Sequence, residues 1–294
     1  MTWTVAALYR FLELDDLPGL QSRVREVCTY HGIVGTILLA PEGINGTIAG
    51  EGGRLNDVLD FLDAQFGIRS GELKFSSAED RPFLKLKIRL KAEIITMRAP
   101  EANPARCAGT YVEAKDWNAL IDDPDVLLLD TRNTYETAVG IFKGAVDPGI
   151  ETFTEFKDFV KTLDPAKHKK VAMFCTGGIR CEKASSYMLA QGFEDVYHLK
   201  GGILKYLETV SGEDSRWQGD CYVFDRRVAV GHGLAQSGWA FCFGCGHPMT
   251  AEDRAHAQYE EGVSCPRCRD GLAEERAASL RLRHRHMTEQ GGRR

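Results

Sequence analysis

The chain has 294 residues, 43% hydrophobic and 27% charged, an ordinary globular balance that allows two or three packed domains and argues against a single core. A formal net charge of −5 excludes coating of nucleic acid by bulk positive charge, while leaving room for local basic patches. No apolar run nears the roughly 20 residues of a membrane span, and the start MTWTVAALYRF lacks the basic opening and cleavage site of a signal peptide, so a cytoplasmic protein without a membrane partner is expected.

Residues 1–97 alternate strand and helix signals. TVAALYRF reads as a strand, 16–31 as a helix, VGTILLA and INGTIAG as two strands about a turn, 52–66 as a second helix, and FLKLKIRLKAEII as a long last strand. That βαββαβ order predicts a ferredoxin-like (acylphosphatase-like) α+β sandwich. In the last strand Lys85, Lys87, Arg89 and Lys91 alternate with Leu84, Leu86, Ile88 and Leu90, which would put the apolar residues on the core face and the four cations on the other. Such spacing suits successive RNA phosphates, and it also suits protection of an exposed strand edge. Tyr9, Phe11 and Asn45 could stack on or hydrogen-bond a base, although aromatics at strand positions are usually core.

Residues 98–110, with two prolines and no apolar period, read as a linker. From 111 to 212 the pattern predicts an α/β domain: VLLLD (126–130), VAMFC (171–175) and VYHLK (196–200) are short apolar runs suited to a parallel sheet buried on both faces, and Gly192 reads as a helix stop. Cys175 ends the second run. Thr176, Gly177, Gly178, Ile179 and Arg180 follow before a helix that should begin at about Cys181. Glycines there let successive amides converge, and the helix start adds partial positive charge, so the loop is a cradle for an anion. A thiol so placed has a lowered pKa and becomes a nucleophile, with Arg180 as a permanent charge at the rim. The alternative for Cys175 is a small buried hydrophobe. The C-x4-R spacing is one residue shorter than a phosphatase C-x5-R loop, a smaller cradle better matched to sulfur than to phosphate.

With LLLDTRNTYETAVGIFKGA (127–145), which carries Asp130, Arg132, Glu136 and Gly144, this loop resembles a rhodanese domain, whose loop cysteine carries sulfur as a persulfide. APEGINGTIAG (40–50), CTGGIRCEKAS (175–185), YHLKGGILKYLE (197–208) and CYVFDRRVAV (221–230) resemble the signatures of rhodanese-containing tRNA uridine hydroxylases, and Ile141 is a minor departure. The resemblance implies oxygen-dependent formation of 5-hydroxyuridine at the wobble position of tRNA, with Cys175 as the active cysteine. No flavin, haem or NAD motif is evident, so molecular oxygen would be a co-substrate and a sulfur or electron donor protein a possible partner. A thiolate adding to uracil C6 would activate C5; a persulfide on Cys175 is the competing route. Cys181 either resolves a persulfide or disulfide with Cys175 or packs against the sheet. Asp130 and Arg132 read as a structural ion pair, with Arg132 as an optional wall of the site, and Glu182 and Lys183 read as solvated. A plain sulfurtransferase or a non-catalytic RNA-binding scaffold remains as an alternative.

Nine cysteines, several in C-x2-C pairs, point to metal or catalytic thiols rather than disulfides. Within a cysteine-rich segment at 213–275, Cys242, Cys245, Cys265 and Cys268 have the C-x2-C-x19-C-x2-C spacing of a closed, structural four-thiolate Zn2+ site. An iron–sulfur cluster is the other occupant, and His232 and His247 are nearby substitutes for a cysteine or ordinary histidines. The tail 276–294, with six arginines and two histidines, is either a phosphate-following arm or a solvated terminus.

Overall fold

The computed structural model describes residues 2–70 and 72–291. The N-terminal unit runs β1 (Trp3–Phe11), α1 (Leu17–Tyr30), β2 (Val34–Ala40), β3 (Gly43–Glu51), α2 (Arg54–Phe66), β4 (Glu72–Ala78) and β5 (Leu86–Leu90). Its sheet has the order β4-β1-β3-β2-β5, antiparallel except that β5 lies parallel to β2. Alternation sorts the side chains. Ala6, Leu8, Ile37, Leu39, Ile44 and Ile48 face α1 and α2 and form one core with Val24, Leu55, Leu59 and Leu62. The opposite face carries Tyr9, Asn45, Thr47, Thr36 and Leu38, paired across the strands.

The βαββαβ expectation holds with a corrected last member. The sixth element is β4, and the expected long strand at 83–95 shrinks to β5, an added edge strand whose Ile88 carbonyl accepts from Gln21 Nε2 at 2.8 Å and Arg25 Nη2 at 3.1 Å on α1. Not every apolar residue of that stretch faces the core: Leu84 is 67% and Leu90 38% exposed.

The second unit contains β6 (Thr110–Val112), α3 (Ala114–Ile121), β7 (Val126–Asp130), α4 (Thr134–Thr137), β8 (Gly140–Phe142), α5 (Phe156–Val160), β9 (Lys170–Phe174), α6 (Ile179–Ala190), β10 (Asp195–Leu199) and α7 (Gly202–Thr209). Strands β6-β10-β9-β7 form an all-parallel sheet. Leu129, Val171 and Met173 face α5 and α6, while Leu128, Ala172 and Phe174 face α3 and α7, which explains the uninterrupted apolar runs. Residues 98–110 hold no helix, but Ala99 and Ala102 are buried in the α5/α6 core.

Beyond residue 212 come β11 (Trp217–Gly219), β12 (Cys221–Tyr222), β13 (Ala229–Val230), β14 (Ala240–Phe241), β15 (Pro248–Met249), α8 (Ala251–Ala255) and α9 (Glu274–Gly291). Strand β11 pairs with β8, seating Trp217 beside Phe142 at a ring distance of 5.0 Å. The expected free tail is instead the helix α9, which buries Ala277 and Leu280 and ties Arg281 to Glu260 and Glu274; Arg293 and Arg294 fall outside the described residues. Among the described residues no helix is long and apolar enough to cross a membrane.

Candidate active site

Cys175 follows β9 directly, and α6 begins two residues earlier than expected, at Ile179. Two glycines make the turn possible. Gly178 has φ 105°, and a Cβ there would lie 2.9 Å from Tyr9 Oη. Gly202 opens α7 at φ 63°, and a Cβ would come within 2.5 Å of the Cys175 carbonyl oxygen and 2.7 Å of that of Thr176. The close approach lets Ile203 N donate to Cys175 O at 3.0 Å and Leu204 N to Thr176 O at 3.1 Å, so the start of α7 braces the loop.

The sulfur of Cys175 accepts from Gly178 N at 3.1 Å. Burial pushes this thiol upward, but the Cys181 thiol, the Arg180 guanidinium and the amides of Cys181 and Gly178 together hold it well below the ordinary thiol range. Cys181, fully buried with Thr131 Oγ1 at 3.4 Å, is pushed the other way, first by burial and then by its bond to Cys175.

Arg180 is not a rim charge. Only 5% exposed, it forms two 2.6 Å bonds to Glu136, whose carboxylate is fully buried and, against the cost of burial, held low by that guanidinium. Thr176 Oγ1 bonds the same carboxylate at 3.2 Å. Arg132 pairs with Asp130 at 2.6 Å, donates to the Gly140 and Glu136 carbonyls and lies over Trp217. Being fully buried, it is no wall of the site.

Cys175, Thr176, Gly177, Ile179 and Arg180 line one side of a cavity of about 480 Å³, and the helix-free face of the N-terminal sheet, which mixes Val5, Ala7, Tyr9 and Leu38 with Thr36, Asn45 and Thr47, lines the other. Lys74 of β4 bridges the two by donating to Gly177 O at 2.8 Å. Tyr9 is buried against the loop, and Asn45 donates to Ile94 O at 3.0 Å. Because Thr36 lies opposite Lys87 and Leu38 opposite Arg89, these two cations share the cavity's sheet face; Lys85 and Lys91 lie exposed just outside β5.

Sγ atoms of Cys242 and Cys268 lie 3.7 Å apart, as do those of Cys245 and Cys265; Cys265 and Cys268 are 3.8 Å apart, and all four lie within 4.8 Å of one another. His232 and His247 contribute no atom to this set. A Cβ on Gly244 would strike the Val263 carbonyl at 2.2 Å, which is why the first knuckle needs glycine.

Residues 3–94 match the family described as the UPF0176 acylphosphatase-like domain, and residues 113–209 the rhodanese-like domain. A tRNA uridine(34) hydroxylase of Agrobacterium fabrum is 53% identical over 285 residues, which is 96% of this chain and 90% of that protein. The chain belongs to the tRNA uridine(34) hydroxylase family. A second uridine(34) hydroxylase, from Mesorhizobium japonicum, is 53% identical over 272 residues, 92% of this chain and 88% of its own length. Among solved structures, a rhodanese-related protein of Thermoplasma volcanium is 25% identical, covers 34% of this chain and 93% of its own, and superposes with a TM-score of 0.29.

This member of the uridine(34) hydroxylase family also contains residues that sequence reasoning passed over. Lys183, expected to be solvated, is 1% exposed; its ammonium donates to Glu42 at 2.8 and 2.9 Å, to Glu93 at 2.6 Å and to Ile95 O at 3.1 Å, fastening α6 to the N-terminal unit, while Glu182 is half-buried. Glu42 sits in APEGINGTIAG, so that signature marks a domain junction. Nothing in Lys183's local sequence signals burial.

Proposed function

We propose that the protein hydroxylates C5 of the uridine at position 34 of tRNA, with the sulfur of Cys175 as reacting group and molecular oxygen as co-substrate. One observation carries this reading: the loop that ionises Cys175 closes one side of a cavity whose other side is a sheet face bearing Lys87 and Arg89. Sulfur transfer alone would use the loop and leave the sheet face without a role; a non-catalytic RNA scaffold would leave the loop without one.

Uracil is electron-poor at C6. Addition of the Cys175 thiolate there forms a C–S bond and moves an electron pair toward O4, which makes C5 nucleophilic. One atom of the oxygen molecule is bonded to C5, and loss of the C5 proton with expulsion of the sulfur from C6 restores the ring double bond. The second oxygen atom leaves as water: a thiolate–thiol pair supplies two electrons and one proton and ends as a disulfide, while the proton released from C5 and one from solvent complete the hydroxyl and the water. Cys175 in the loop and Cys181 in the first turn of α6, hydrogen-bonded to each other, are such a pair, and an electron-donor protein with a dithiol of its own reduces their disulfide back to thiols. The Thr176 to Ile179 turn and Arg180, fixed by Glu136, hold the reacting sulfur ionised. RNA phosphates are met by Lys87 and Arg89, with Lys85 and Lys91 flanking them.

Cys242, Cys245, Cys265 and Cys268 would hold a structural Zn2+. Four thiolates at about 2.3 Å from a tetrahedral ion lie about 3.8 Å apart, the separation found among these sulfurs. An iron–sulfur cluster, whose four cysteines are divided among two or four irons, needs a wider cage. The ion would join the two knuckles and leave no open position for chemistry.

Nucleoside mass spectrometry of tRNA from a deletion strain, complemented with wild type or Cys175→Ser, tests the reaction. We expect 5-hydroxyuridine at position 34 to vanish on deletion, to return with wild type and to stay absent with Cys175→Ser; growth under 18O2 should label it. Unaltered 5-hydroxyuridine in the deletion strain would move the assignment to sulfur transfer.

A further inference from the structure

Phe224 is a large apolar side chain left 55% exposed in the wall of the cavity that contains Cys175. Its backbone is tightly held. It belongs to the loop joining β12 and β13, in which Val223 N donates to Val228 O at 2.8 Å and Val228 N to Asp225 O at 3.1 Å. Buried Asp225 and Arg227 are paired through Nε at 2.9 Å, and the same guanidinium reaches across to Ser76 Oγ at 2.7 Å and Ser77 O at 3.2 Å on β4. Val228 takes a φ of 64°, a conformation a β-branched residue adopts only where its surroundings over-determine it. A strained loop tethered to the facing sheet therefore keeps one exposed ring in one place.

Part of that ring is already covered. The Arg180 guanidinium carbon lies 6.0 Å from its centroid, and Tyr222 meets it edge-on at 5.2 Å. The remainder is open to the cavity and to solvent. That guanidinium is the one whose charge acts on Cys175, and Asn45, Thr36 and Thr47 are among the residues lining the cavity.

We infer that Phe224 is the platform on which the target uracil stacks when it is drawn toward Cys175, an inference that rests on the hydroxylation reading above. A base taken from a single-stranded loop loses the stacking of its neighbours, and an aromatic face replaces it without regard to base identity. Because the ring is pre-positioned, little ordering is lost on binding. Discrimination of uracil then falls to hydrogen bonds at its edge, for which Thr36, Asn45 and Thr47 of the sheet face are at hand.

The test is binding of an anticodon stem-loop RNA to the full chain, with uridine or an abasic nucleotide at position 34, by wild type, Phe224→Ala and Phe224→Tyr. Phe224→Ala should weaken the uridine RNA about 10-fold, Phe224→Tyr should retain most of the affinity, and the abasic RNA should bind all three alike, so that the double-mutant cycle shows nearly full coupling. The pH profile of Cys175 alkylation should be the same in Phe224→Ala as in wild type. Equal weakening of both RNAs, coupling to an abasic nucleotide at 33 or 35 instead, or a shifted alkylation profile overturns the inference. The two readings fail separately, because the cycle is read without turnover: a wild type that makes no 5-hydroxyuridine sinks the reaction alone, and a hydroxylating wild type with no coupling at Phe224 sinks the platform alone.

Discussion

Cys175 is 1% exposed, a position where an ionised sulfur is costly unless donors surround it. Much of the Arg180 charge is answered by Glu136, so the Cys181 thiol and the loop amides are needed beside it. The consequence for stability has a definite sign. The folded-state pKa is depressed, whereas the unfolded thiol titrates near 8.5. Between those values the folded state is the ionised one, so stability rises with pH, by at most about 1.4 kcal/mol per pH unit, reaches its full value above the unfolded pKa, and is lost as pH falls through the folded pKa. The Tm advantage of wild type over Cys175→Ser should therefore widen as pH rises through the neutral range toward about 8.5. Alkylation of Cys175 by iodoacetamide should be nearly flat over the same span. A rate that climbs tenfold per unit up to pH 8.5 is that of an ordinary thiol and removes the nucleophile from the mechanism.

The sheet shows how far an element can be read from its pattern. FLKLKIRLK alternates well beyond the hydrogen-bonded part because alternation at a sheet edge does not demand burial, and Leu84 and Leu90 are accordingly exposed. ELKFSSA carries only a short apolar stripe: Leu73 and Phe75 lie on the core face before Ser77 interrupts it, while Lys74 and Ser76 face the cavity. The Cys175 loop and the four-cysteine cluster were legible because their residues are close in sequence or regularly spaced. Contacts of Arg180 with Glu136, Gly177 with Lys74, and Lys183 with Glu42 were not, since the partners are 44, 103 and 141 residues apart. The corrected register makes the cation proposal sharper, because only Lys87 and Arg89 lie within β5 on the cavity face. Replacing both with glutamine should weaken anticodon stem-loop binding and lower the slope of log Kd against log salt by about 1.5. An unchanged slope places the phosphates elsewhere.

At the scale of the whole molecule the cavity exists only because two units are fastened together. Lys183 to Glu42 and Glu93, Lys74 to the Gly177 carbonyl, and Arg227 to β4 are three separate fastenings around it. The four-cysteine cluster lies outside that set. The partners of the Cys175 loop (Glu136, Gly178, Ile203 and Leu204 of the second unit, Lys74 of the first, and the Tyr222 carbonyl) include no residue of the knuckles, which support β14, β15 and, through Val263 against Leu280, α9. Loss of the ion should therefore damage stability before it damages the thiolate. Purified protein should contain one zinc per chain by elemental analysis, and Cys265→Ser should lose it. Because binding of a structural ion contributes directly to folding, that variant should melt several degrees lower, or in two steps if 240–291 loosens first. Its Cys175 alkylation profile should remain that of wild type. A coincident change in that profile would make the cluster part of the reaction site, and a protein that carries iron or no metal as purified would end the zinc reading.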